Sequence, residues 1–149
     1  MVLHLSMRSS RLSTKTVIVA DASVLVVALV DDTAYGDRAR HRLRGEELSA
    51  PELVYLEVTS ALRRLVSRGH APPRRAALAL DDLLDLPVRS ARHTHLLPRV
   101  WELRTNLTVY DAAYVALAEA LDAPLFTADR RLTRATGPRC TFELLAGFD

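Results

Sequence analysis

The chain has 149 residues, room for one compact domain, and its 49% hydrophobic and 26% charged content is that of an ordinary globular protein, which excludes wholesale disorder. A single cysteine, Cys140, excludes an intramolecular disulfide and a Cys-rich zinc site, and no apolar run approaches the roughly 20 residues that a bilayer-spanning helix needs. Twenty basic against 18 acidic residues leave a formal charge of +2, too close to neutral to argue for a nucleic-acid partner by itself. Yet every basic residue but Lys15 is an arginine. Codon usage in a GC-rich genome explains that; so does phosphate contact, because guanidinium forks match phosphate oxygens.

Residues 1–15 hold Arg8, Arg11 and Lys15, several Ser and Thr, and no acid. They read as a mobile basic extension, with Met7 or a later codon as an alternative start, and the ordered domain is expected over 16–149. Val17, Ile18, Val19 and Ala20 form a continuous apolar run, the pattern of a strand buried on both faces. It ends at Asp21, and residues 24–30 read as a short helix. A second helix is expected over 34–43, stopped by Gly45, then a short strand over 48–50. Pro51 turns the chain into a helix over 52–67, with Gly69 as its stop. Pro72 and Pro73 open another helix over 74–84, and 87–90 is a weak strand. Residues 95–103 read as a helix around Pro98, a residue suited to the first turn. The clearest helix runs over 108–121. A buried strand over 124–127, a helical turn after Asp129 and a last strand over 140–144 complete the chain. Strands and helices alternate with short connections, which implies a parallel sheet covered by helices.

In such a sheet, ligands bind beyond the carboxyl ends of the strands. Asp21 directly follows the first strand and Asp129 follows the 124–127 strand; each alone could be a helix cap. Glu57 is more informative. At about 100° per residue along its helix it projects inside the apolar stripe of Leu53, Val54, Val58, Ala61, Leu62 and Leu65, while Arg63, Arg64 and Arg68 take the exposed face. A carboxylate facing the core is costly unless paired or metal-bound, so a buried ion pair with an arginine is the alternative. Asp111 lies one turn into its helix beside Tyr114, Val115 and Ala118, and a capping box with Thr108 would also explain it. Together the four acids form the donor set that hard divalent cations such as Mg²⁺ prefer. No zinc spacing competes, and His93 and His95 read as surface residues. There is no phosphate-binding glycine loop and no nucleophile elbow.

Three segments resemble the PIN-domain ribonucleases, most closely the VapC-type toxins of bacterial toxin–antitoxin pairs. They are Val17-Ile18-Val19-Ala20-Asp21-Ala22-Ser23; Pro51-Glu52-Leu53-Val54-Tyr55-Leu56-Glu57 with the helix that follows; and Leu107-Thr108-Val109-Tyr110-Asp111-Ala112-Ala113-Tyr114, continuing to Leu125-Phe126-Thr127-Ala128-Asp129. The resemblance covers about residues 17–145 and keeps all four acids. It implies a three-layer α/β/α fold with a short, mainly parallel central sheet. It further implies a cytoplasmic endoribonuclease in which Asp21, Glu57, Asp111 and Asp129 are catalytic and hold Mg²⁺, with Mn²⁺ as substitute. The hydroxyls of Ser23 and Thr127 would orient an acid or a metal-bound water. Asn106 would contact substrate or shape the turn before the 108–121 helix. Arg38, Arg40, Arg42, Arg44, Arg104, Arg130 and Arg131 are candidate phosphate contacts. The implied partners are a cognate VapB-type antitoxin, RNA and a second copy of the chain. A DNA nuclease of the same fold and a non-catalytic binding module are the alternatives; core-facing Glu57 argues against the latter.

Overall fold

A computed structural model of the chain describes residues 15–147. The expected basic extension over residues 1–15 lies outside these, apart from Lys15. In chain order the elements are β1 (Val17–Ala20), α1 (Ala22–Val30), α2 (Ala34–Leu43), β2 (Glu47–Pro51), α3 (Val54–Ser67), α4 (Pro73–Asp85), β3 (Val88–Ala91), α5 (Leu97–Glu102), α6 (Val109–Leu121), β4 (Leu125–Thr127), α7 (Arg130–Thr133) and β5 (Phe142–Leu144). All four strand pairings are parallel, and the strand order is β3-β2-β1-β4-β5. The sheet is parallel throughout, in agreement with the alternation of strands and helices in the sequence.

β1 is the central strand. Ile18, Val19 and Ala20 have no exposed surface, because helices cover both faces and leave no solvent side for a polar residue to occupy. On one side α1 to α4 pack on one another; α5 and α6 form a second group, with α6 against β1 and β2. From β1 the chain winds outward through β2 and β3, then returns to place β4 on the other side of β1. The reversal between β1 and β4 is the topological switch point, where side chains at the carboxyl ends diverge and leave a crevice.

Local departures from the expected elements have physical causes. α3 begins at Val54 rather than 52, because Glu52 and Leu53 form a turn. The Leu53 N–H donates to Nε2 of His93 over 3.1 Å. His93 is therefore half-buried and bound to the start of α3, not the surface residue it reads as in sequence. The expected helix over 95–103 opens as a 3₁₀ turn (Thr94–Leu96) before α5. Pro98 has no N–H for the Thr94 carbonyl and its ring crowds that carbonyl, so α-geometry cannot run back past it.

Candidate active site

Asp21, Ser23, Glu57, Ser60, Arg64, Asp111 and Asp129 line one cleft of about 410 Å³ at the carboxyl ends of β1 and β4. The four acids that sequence spacing singled out are thus brought together from four separate elements. Asp21 leaves the end of β1, where its N–H donates to the Phe126 carbonyl of β4 over 2.9 Å. Asp129 leaves the end of β4 and caps α7, its Oδ1 accepting from the Arg131 N–H. Glu57 reaches in from α3, beside buried Val54, Val58 and Leu62. Asp111 reaches in from the first turn of α6, where its N–H donates to the Thr108 hydroxyl. The N-cap interaction expected of Thr108 exists, and it engages the Asp111 backbone while the side chain still lines the cleft.

Two hydroxyls build the floor. Ser23 Oγ and Thr127 Oγ1 both donate to Oδ2 of Asp21, over 2.9 and 2.7 Å. Each hydroxyl has one proton to give, and each accepts a backbone N–H in return: Ser23 from Ala128, Thr127 from Asp129. The chain of bonds ties Asp21 to the β4–α7 connection that carries Asp129. It also directs Oδ2 of Asp21 as the acceptor of both hydroxyls, which stand 3.4 Å from each other.

Tyr114 does for Glu57 what the hydroxyls do for Asp21. Its ring is fully buried, and its OH donates to Oε1 of Glu57 over 2.7 Å. Burial and the adjacent carboxylate push the phenol far above its ordinary value, so it is a donor at every physiological pH. Sequence placed Tyr114 on the same face as Asp111, three residues away, and gave it no role of its own; the phenolic oxygen was the available signal. Glu57 has no arginine ion pair among the described residues, so its partner is the tyrosine and not the arginine that was the alternative reading of its core-facing position.

Electrostatics mark the cleft as short of cations. Burial pushes Asp21 above its usual range, against the pull of the Thr127 and Ser23 hydroxyls. Burial also raises Glu57, partly offset by Tyr114, and the charges of Asp21 and Asp111 add to the rise. Asp111 rises by burial and by its repulsion from Asp21 and Asp129. Like charges in one desolvated site cannot all ionise cheaply.

The remaining sequence candidates separate clearly. Asn106 is exposed and outside the cleft lining; its N–H donates to the Leu103 carbonyl, and its side chain sits near Gly137. It shapes the turn before α6. Arg40 donates to the Ala28 and Asp31 carbonyls at the end of α1 and pairs with Asp37. Arg42 forks onto Glu143 and also pairs with Glu46. Arg40 and Arg44 line a different cavity with Lys15 and Pro87, at the amino ends of the strands. Arg40 and Arg42 are therefore structural, and the α2 arginines at that pole face away from the acids. Arg38 lies over the Tyr35 ring and Arg104 over Trp101. Arg130 is exposed at the start of α7, and Arg131 Nε stands 3.6 Å from Asp129. Arg64, which sequence assigned only to an exposed basic face, lines the cleft.

Comparison with known proteins gives the chain a family and a fold. The PIN domain family model matches residues 18–138. Ribonuclease VapC9 of Mycobacterium tuberculosis (strain ATCC 25618 / H37Rv) is 42% identical over 123 residues, 83% of this chain and 94% of that protein. Ribonuclease VapC1 of the same strain is 41% identical over 128 residues, 85% of this chain and 96% of that protein. Among solved structures, VapBC2 from Rickettsia felis, bound to a DNA fragment from their promoter, matches with a TM-score of 0.65 at 15% identity, over 87% of this chain and 98% of that one. At that identity the structural match speaks for the fold.

Proposed function

The chain belongs to the PIN-domain family, among its VapC ribonucleases, and from that membership and the acidic cleft we propose that it is a Mg²⁺-dependent endoribonuclease, the toxin of a VapBC-type pair. The observation that carries the proposal is the meeting of Asp21, Glu57, Asp111 and Asp129 in one cleft at the switch point of the sheet. Helix capping accounts for Asp129 and in part for Asp111, but not for buried Asp21 or for Glu57.

The donor set fits a hard cation. Among the described residues no three His, Cys, Asp or Glu side chains form a ready-made metal site; what supports the ion is the chemistry of the donors, four carboxylates lining one cleft, since Mg²⁺ takes carboxylate oxygens, as few as one or two directly, and keeps several of its waters. The mutual repulsion of the acids is what a divalent charge would relieve. Asp21, Glu57, Asp111 and Asp129 would hold it, with Mn²⁺ as a substitute. When bound, such an ion lowers the pKa of water to make a nucleophile and neutralises charge on the phosphoryl oxygens.

The protein's own groups supply position. Ser23 and Thr127 fix Asp21, and Tyr114 fixes Glu57, so the two acids are held in one rotamer before substrate arrives. Thr108 anchors the first turn of α6 and with it Asp111. The partner we propose is a VapB-type antitoxin, as VapBC2 has its own; we also propose a homodimer, which the exposed Leu97, Trp101, Val109 and Tyr110 on α5 and α6 favour. No described helix is long and apolar enough to cross a membrane. An RNA-cutting toxin silenced by a co-produced antitoxin would act in the cytoplasm.

Asp21→Asn and Asp111→Asn each keep the side chain's size and remove one charge. Both should fold and melt at or above the wild-type temperature, and both should lose RNA cleavage by orders of magnitude, measured on matched RNA and DNA oligonucleotides with Mg²⁺. Folded variants that cut RNA at near wild-type, metal-dependent rates would sink the assignment. Wild-type cleavage of DNA in preference to RNA would replace ribonuclease with DNA nuclease.

A further inference from the structure

Arg64 is the only basic side chain lining the acidic cleft among the described residues. It shares one face of α3 with the cleft residues Glu57, Ser60 and Ala61, at offsets of three, four and seven from Glu57, which an α-helix stacks in a single row. Helical side chains lean toward the amino end of their helix, so the Arg64 side chain leans back over the turn that carries Ser60. Its Nη1 donates to the Ser60 hydroxyl at a long 3.4 Å, and it makes no ion pair among the described residues. Its charge reaches Glu57 and draws that carboxyl down against the rise that burial imposes, but the two residues are two turns apart, about 10 Å of helix rise, and no ion pair closes between them.

That position decides what the group can do. It lines the cleft yet closes an ion pair with none of the acids, and its single long bond to Ser60 leaves donors open to an anion that enters beside them. We infer that Arg64, poised by Ser60, binds an RNA phosphate flanking the one that is cut, and so sets the path of the strand along the face of α3. Guanidinium forks suit phosphate oxygens, and a cation that lines the acidic cleft offsets the repulsion that the carboxylates exert on a polyanion. The inference rests on the ribonuclease reading above.

The neighbouring residue supplies the control. Arg63 is on the same helix and also exposed, but it lines a groove between α3 and α4 with Val66, Pro73 and Leu80, away from the acids. Binding of a fluorescent single-stranded RNA oligonucleotide is measured by anisotropy in the Asp21→Asn background with EDTA, where no cleavage occurs and no metal takes part. Adding Arg64→Ala should weaken binding about tenfold, as expected for one charge-assisted phosphate contact. It should also lower the salt-dependence slope by about 0.7. Adding Arg63→Ala should change affinity less than about twofold, and Arg64→Lys should fall between. In the otherwise wild-type chain, Arg64→Ala should raise KM far more than it lowers kcat, with Mn²⁺ affinity by electron paramagnetic resonance undiminished. Equal losses from Arg63→Ala and Arg64→Ala would overturn the contact. So would intact RNA binding with lost kcat, which would put Arg64 in the metal site instead. RNA neither bound nor cut by any form of the chain would overturn the ribonuclease reading, and this contact with it.

Discussion

Tyr114 shows how the site is armed at the scale of single residues. A buried phenol without a partner would cost the fold, and this one spends its proton on Oε1 of Glu57. Tyr114→Phe removes one oxygen and leaves that carboxylate atom without its donor. The loss should cost about 1–3 kcal/mol of stability, read from urea melts of the metal-free protein. Mn²⁺ binding should weaken as well, because Glu57 is no longer held in one rotamer; a paramagnetic-resonance titration measures it. A Phe variant that binds Mn²⁺ like the wild type would reduce the tyrosine to packing. The four acids were legible in sequence because their types and positions, two at strand ends and two on core-facing helix turns, have few structural explanations. Tyr114, His93 and Arg64 were not, because their roles depend on partners: Tyr114 meets Glu57 from 57 residues away, and Arg42 meets Glu143 from 101. Periodicity reports which face a residue takes, not what stands opposite. That is also why Arg40 and Arg42 read as phosphate contacts and turn out to be internal struts.

At the scale of elements, the α1–α2 corner places the first acid's helix. Gly36 packs so closely on the end of α1 that a Cβ there would lie 1.8 Å from the Asp31 carbonyl oxygen. Arg40 seals the same corner by donating to the Ala28 and Asp31 carbonyls, which α1 leaves without intrahelical partners. Gly36→Ala must push α1 and α2 apart and should cost about 3 kcal/mol or more. Urea unfolding of the variant checks it; a loss below about 0.5 kcal/mol, the range of ordinary surface changes, would mean the corner relaxes freely. Helix types and order were readable here from apolar spacing and from Pro and Gly punctuation. The ends were less so. The start of α3 depends on His93 from a distant loop, and the 3₁₀ turn before α5 depends on the geometry Pro98 forbids, which a helical wheel does not register. Strand β5 shortened to Phe142–Leu144 because only these residues run beside β4.

At the scale of the whole molecule, the fold crowds acids at one pole. Asp21, Glu57, Asp111 and Asp129 gather at the carboxyl pole of the sheet, while the cavity at the amino pole mixes Lys15, Arg40, Arg44 and Arg75 with Asp32, Glu46 and Asp82. The crowding predicts how stability follows pH. Asp21, Glu57 and Asp111 have folded-state pKa values above the 3.8, 4.5 and 3.8 at which such groups ordinarily titrate. The folded chain therefore takes up protons before the unfolded chain does. Metal-free stability should rise as pH falls from neutrality through these raised values toward the ordinary ones. Other carboxylates act in the opposite sense. Burial pushes Glu119 up, but the Arg99 fork brings it below its ordinary value, and the Thr33 hydroxyl lowers Asp31. Their contribution is complete above the ordinary carboxylate range and is lost as pH falls through their depressed values. The two trends together put the melting temperature of the metal-free protein at a maximum in mildly acid solution. Under the proposed metal site, millimolar Mn²⁺ should move that maximum: it would bind the ionised acids, stabilise the fold at neutral pH by mass action, and lose its effect as protons compete for the same oxygens. Asp21→Asn should flatten the rise from neutrality and shrink the Mn²⁺ shift together, because one carboxylate contributes to both. Melting curves from pH 4 to pH 8, with and without Mn²⁺, for both proteins provide the test. A Mn²⁺ shift equal in the two, or none in either, would mean that the acids at the carboxyl pole do not share a cation.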